Sequence, residues 1–215
     1  MQIAEPSTLI TDYILAVLTA LLARLLLREA MREHRKSVRL WGLAFVALAI
    51  GSAVGGTYHG FSAYMDDTIR AAAWKITAYF IGIFSLGMLS GSVVGCFAGT
   101  ARAALLLVSI AIFATYGVWM ATHDDFQYVI YDTASAMVGV AALHLYTGCT
   151  RRDPSSPWII AAVLVSVFAA AVQYSGIDVH RNFNHNDLYH LIQMLAMYLF
   201  YRGGTLLRDR ESAAQ

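Results

Sequence analysis

Seven stretches of about 20 apolar residues follow one another, separated by short charged connections, and each is long enough to cross a bilayer. Inside lipid a chain must satisfy its own backbone N–H and C=O groups, which makes the α-helix the fold for runs of this length. The sequence therefore predicts an all-α integral membrane bundle of seven transmembrane helices, forming one domain over residues 1–215. Expected spans are about 8–28, 39–60, 70–98, 102–122, 127–148, 157–177 and 186–207. Only 13% of the residues are charged, against about a quarter in a soluble domain. The net charge of +1 points to no partner, and no basic tract suggests nucleic acid.

The basic residues orient the bundle. Twelve of the 15 Lys and Arg residues fall on one side: Arg24, Arg28, Arg32, Arg35, Lys36, Arg39, Arg102, Arg151, Arg152, Arg202, Arg208 and Arg210. Arg70, Lys75 and Arg181 fall on the other. Positively charged connections stay inside, so the N-terminus is expected outside and the C-terminus inside. The location expected is the plasma (inner) membrane. Glu5 and the lack of a basic leader predict no cleaved signal. Cys96 and Cys149, near inner helix ends, read as unpaired packing residues.

Small residues predict helix contacts. Gly87, Gly91, Gly95 and Gly99 recur every four residues, and Gly51 and Gly55 make a second pair. The segments Glu5-Pro6-Ser7-Thr8 and Asp153-Pro154-Ser155-Ser156-Pro157 read as helix starts. Trp41, Trp74, Trp119 and Trp158 are expected in an interfacial belt. The inner basic residues are expected as a solvated face, and Asp66, Asp67, Asp124, Asp125, Asp178, His123 and His180 as residues facing outer water.

Ionisable groups within spans are costly in lipid and mark cavities, partners or metals. Five lie near outer helix ends: Asp12, His59, Asp132, Asp187 and His190. In span seven, Asp187, His190, Met194, Met197 and Tyr201 share a helical face. His185 stands five residues before His190, so it joins that face only from a non-helical entry, which Asn182-Phe183-Asn184 would supply. In span two, Ser52, Gly55, Gly56 and His59 share a face, with Ser52 two turns below His59. Asp12 and Asp132 have an alternative role as ion-pair partners of Lys75. His144 is expected to be hydrogen-bonded at the inner interface.

At these residues the chain resembles the CREST superfamily of seven-span membrane proteins, which includes alkaline ceramidases and progestin/adiponectin-type receptors. His59 after the aromatic Tyr58 resembles the family's span-two histidine, and His190 resembles the second histidine of its span-seven His-x-x-x-His. Asn186 stands where that motif has its first histidine, and Gly55 stands where the family has a serine. The resemblance implies Zn²⁺ held by His59, His190 and either His185 or Asp187. It implies hydrolysis of a lipid amide through a metal-activated water; a lipid ester is the other substrate expected at the outer face, and Asp12, Asp132 or Asp187 is the candidate general base, if within hydrogen-bond reach of that water. Ser52 is a substrate-facing candidate, and Met194 and Met197 with the small-residue faces are candidates to line an acyl tunnel. The alternative is a binding or sensing module for a lipid or metal, without turnover. The two histidines His59 and His190 could also serve as axial ligands of a haem.

Overall fold

Residues 3–180 and 183–211 are described in the computed structural model. Arg181, counted among the outer charges, and Asn182 lie outside the described residues. Those described form seven α-helices and no strand: α1 (Pro6–Arg32), α2 (Lys36–Phe61), α3 (Asp67–Cys96), α4 (Gly99–Thr122), α5 (Phe126–Arg151), α6 (Ser156–Ser175) and α7 (His185–Leu206). Six of them, α1 to α6, are long and apolar enough to cross a membrane. The seventh, α7, carries Asn186, Asp187, His190 and Gln193 in its first half.

Short polar residues start α3, α5 and α7 at the end of the bundle that holds the N-terminus, the end expected outside. Asp66 accepts the Ile69 amide at 2.8 Å to cap α3, and Asp125 accepts the Gln127 amide at 2.8 Å to cap α5. Two expected water-facing aspartates are thus helix caps. Asn184 and Asp187 form a capping box for α7. Asn184 Oδ1 accepts the Asn186 and Asp187 amides, and Asp187 Oδ2 accepts the Asn184 amide at 2.8 Å.

The helices α1, α2, α3, α5, α6 and α7 pack as a closed ring, and α4 lies outside it against α3 and α5. Large apolar side chains on the outer surface, among them Val17, Leu107, Val118, Leu164 and Phe168, are exposed as lipid-facing residues would be. The core sits toward the inner half of the ring. Trp41 is its centre, fully buried, donating Nε1–H to the Met88 carbonyl at 3.0 Å and meeting Phe200 edge-on at 5.9 Å. This corrects the belt expectation for Trp41. Its ring fits because a Cβ at Gly91 would overlap it. The glycine stripe is shorter than its spacing suggested. Gly87, Gly91 and Gly95 pack against α2 and the α7 exit, but α3 ends at Cys96 and Gly99 opens α4 with φ +60° and no neighbour within 4 Å. Met197 is buried in this same core, so it is packing and not tunnel wall. His144 is buried there too, 3.3 Å from Ser92 Oγ and edge-on to Trp41, rather than at the interface. Cys96 and Cys149 are both free.

Several inner basic residues are caps. Arg35 donates to the Thr205 and Leu207 carbonyls at 3.0 and 2.8 Å, satisfying the end of α7. Arg102 and Arg151 do the same for α3 through the Phe97 and Cys96 carbonyls at 2.9 and 2.7 Å. Asp209 returns from beyond α7 to accept the Lys36 and Ser37 amides at 2.7 and 2.8 Å, capping α2. Arg35 and Asp209 thus tie the start of α2 to the end of α7 in both directions. Asp209→Ala is expected to cost about 1–2 kcal/mol, read as a lower thermal midpoint in detergent.

Candidate functional site

The polar residues of the outer half divide into separate groups. The densest lies between α1 and α7, where α1 is flanked by α2 on its other side. Asp12 sits two turns into α1 with its side chain 9% exposed, and His190 faces it from α7, 11% exposed, with Nε2 3.4 Å from Asp12 Oδ1. The other ring nitrogen, Nδ1, is 2.9 Å from the Thr11 hydroxyl. A hydroxyl, an imidazole and a carboxylate thus stand in line. Gly56 allows this, since a Cβ there would lie 2.8 Å from Asp12 Cβ and push α1 off α2. Thr8 and Asp187 complete the group, and each has one buried oxygen without a partner, Thr8 Oγ1 and Asp187 Oδ1. Asp187 is near enough for its charge to act on both Asp12 and His190.

Proton placement along the line has two self-consistent forms. Thr11 also lies 3.1 Å from the Thr8 carbonyl, and its hydroxyl has one proton to give. Given to that carbonyl, the proton leaves Thr11 as the acceptor of an Nδ1–H. Given to His190 Nδ1, it places the ring proton on Nε2, facing the Asp12 carboxylate. The second form has a nucleophile beside its base, with a carboxylate at ion-pair distance, 3.4 Å, from the other nitrogen of that base. Helical periodicity puts Thr8 and Thr19, and not Thr11, on the face of Asp12; only the partner across the helix interface singles out Thr11.

His59, at the outer end of α2, holds Glu5 Oε2 at 3.1 Å through Nδ1, and both side chains reach water. Its charge is within electrostatic reach of His190. Ser52 is buried in α2 one turn inward of Gly56, on the face turned toward α1. His185 begins α7, but its Nδ1 turns to Asp178 Oδ1 at 2.9 Å, away from His190. Asp132 is on α5, whose neighbours are α3, α4 and α6, so it belongs to a different place from Asp12 and His190. Lys75 pairs with neither Asp12 nor Asp132. It binds Asp124 at 2.6 Å and the Met120 and His123 carbonyls, closing the end of α4. His123 stacks on Trp119 with ring centroids 4.0 Å apart.

The donors do not fit zinc as they stand. Both nitrogens of His190 are engaged, His59 and His185 each hold a carboxylate of their own, and among the described residues no three His, Cys, Asp or Glu side chains converge as a ligand set.

A family model described as a family of unknown function, DUF6962, matches residues 7–209, which takes in all seven helices. The chain belongs to the DUF6962 family. Comparisons with curated proteins and with solved structures gave no match. The Thr11–His190–Asp12 line of this DUF6962 member spans the first and last helices of the matched region, so it forms only in the closed ring.

Outside the membrane-spanning segments, the ring and backbone N–H of His185 beside Asp178 hold that carboxyl below the ordinary carboxylate range. A lowered folded pKa means the contact is complete above the unfolded value of about 3.9 and is lost as pH falls through the lowered one. The His185 amide shift in NMR is expected to follow that titration and to stay flat in Asp178→Asn.

Proposed function

We propose that this is a seven-span protein of the plasma (inner) membrane, N-terminus outside, with an outer-face site that hydrolyses an ester or amide of a membrane lipid. The observation that carries the reading is the Thr11–His190–Asp12 line. His190 Nδ1 takes the Thr11 proton as Thr11 Oγ1 attacks the substrate carbonyl carbon, and Asp12 stabilises the imidazolium. The imidazolium then gives that proton to the departing alcohol or amine as the carbonyl–heteroatom bond breaks. Water, deprotonated by His190, next attacks the acyl carbon, and the imidazolium returns that proton to Thr11 Oγ1 as the carbonyl–Oγ1 bond breaks and the acid leaves. The lipid class is supported by a groove of about 670 Å³ between α1 and α2, which begins one turn inward of Asp12 and is lined by Ala16, Ala20, Ala49 and Ala53. Val17, Leu27, Val46 and Ile50 complete an apolar wall that an acyl chain fits, and Arg24 and Arg28 line its far end. The distribution of Lys and Arg supports the orientation.

Purified protein is to be incubated with a long-chain acyl ester and the matching acyl amide, then examined for released acid and for an acyl adduct by mass spectrometry. Release together with an adduct on Thr11, both absent from Thr11→Ala, supports the reading. Stable protein that releases no acid but still binds the substrate would replace it with the binding module, for which the unpartnered Thr8 and Asp187 oxygens speak. Element analysis of the same sample is the third arm. One zinc per chain, lost in the His59→Ala, His190→Ala double variant, would replace the hydroxyl nucleophile with a metal site.

A further inference from the structure

Asp132 has no part in the site above, and its surroundings are unusual for a carboxylate at membrane depth. It lies six residues into α5, about 9 Å below the helix start by helical rise. It is 7% exposed, and its Oδ2 has no hydrogen-bond partner. The Ser85 hydroxyl of α3 is its polar neighbour. Buried polar atoms are almost always paired, so an orphan carboxylate oxygen points to something that completes it.

The space beside it is a groove of about 300 Å³ between α4 and α5, lined by Asp132, Tyr116, Trp119, Tyr128, Tyr131 and Ile112 among others. The groove exists because α4 stands outside the ring and touches α5 only lightly. Its outer rim is aromatic: Tyr128 meets Trp119 edge-on at 5.6 Å and Tyr131 at 6.4 Å. Lys75, the nearest basic residue on α3 by position, is committed to Asp124 and to the end of α4.

A carboxylate with one unpartnered oxygen, under a rim of aromatic side chains, is complementary to an organic ammonium, since ring faces and carboxylate both attract a cation. The depth selects its carrier. A zwitterionic headgroup would bring its phosphate down with it, whereas a single ammonium on an alkyl chain would not. We propose that the α4–α5 groove binds the ammonium group of a cationic amphiphile from the outer half of the membrane. The ammonium pairs with Asp132 beneath Trp119, Tyr128 and Tyr131, and the chain runs inward past Ile112. This holds whatever the α1–α7 site does.

The test uses the full chain in detergent, with dodecylamine and dodecyltrimethylammonium as probes and dodecanol as the neutral control. Dicyclohexylcarbodiimide, which modifies carboxyl groups within membranes, is expected to label Asp132, mapped by mass spectrometry. Dodecyltrimethylammonium, whose nitrogen cannot be acylated by the activated carboxyl, should protect, and dodecanol should not. Asp132→Asn keeps the side-chain shape and should bind dodecylamine about 10–100-fold more weakly, as expected when a charged hydrogen-bond partner is lost; dodecyltrimethylammonium, which has no N–H to donate, should weaken through loss of the opposite charge alone. Tyr131→Ala, at an exposed residue, should weaken binding by a smaller factor and serves if Asp132→Asn proves unstable. Equal protection by dodecanol, or unchanged cation affinity in both variants, overturns the proposal.

Discussion

His190→Ala is expected to lower lipid ester or amide turnover by about 10²–10⁴-fold, the usual contribution of a positioned acid–base group. The ring touches both other members of the line, Thr11 at 2.9 Å and Asp12 at 3.4 Å. Its loss therefore removes the proton acceptor and leaves the Asp12 carboxylate without its partner in a nearly closed space. Asp12→Asn should fall short of that loss, because the ring keeps Thr11 and loses only the group that stabilises its charge. Progress curves with long-chain acyl ester and amide, at matched protein stability, check both. A His190→Ala protein that turns over substrate at the native rate places the chemistry elsewhere. Gly56→Ala is a control that leaves all three side chains in the sequence. It should reduce turnover by moving α1, since its new Cβ would lie 2.8 Å from Asp12 Cβ.

Trp41→Ala should cost about 3–5 kcal/mol of stability, in the range for emptying a buried aromatic site. Trp41 is fully buried, ties α2 to α3 through the Met88 carbonyl, and packs on Phe200 of α7 and edge-on to His144 of α5. In lipid the loss is chiefly of packing contacts, because lipid tails offer no less apolar a surrounding than the core does. The thermal midpoint in detergent reads it directly. The variant should also lose the outer site indirectly, because the ring that brings α1 to α7 closes through this core. Stability within about 0.5 kcal/mol of native, the size of an ordinary surface change, would show that Trp41 is not its centre.

Much of the architecture is legible without coordinates. Helix existence follows from hydrophobic runs that no other backbone can satisfy in lipid, and helix starts follow from residues such as Pro6, Asn184 and Pro157 whose local chemistry fits nothing else. Asp187 shows where that legibility ends. In the sequence it reads as a metal ligand or a general base on the face of His190. Only the structure shows one oxygen spent on the cap and the other buried without a partner. His185 was legible as conditional on the helix start. The start falls at the residue itself, and its ring turns to Asp178.

The sequence by itself determined the all-helical class and the residues worth watching, and of its seven expected spans six are helices long and apolar enough for a membrane, because length, hydropathy and capping are local properties. Tertiary structure alone decided which of those residues meet. It joined His190 to Asp12 and Thr11, gave His59 to Glu5, and set Asp132 apart beside α4. The physical reason is that helices pack through side-chain shape at contacts far apart in the chain. Gly56 and Gly91 act there by what they leave out, and periodicity within one helix carries no information about which neighbour fills the space.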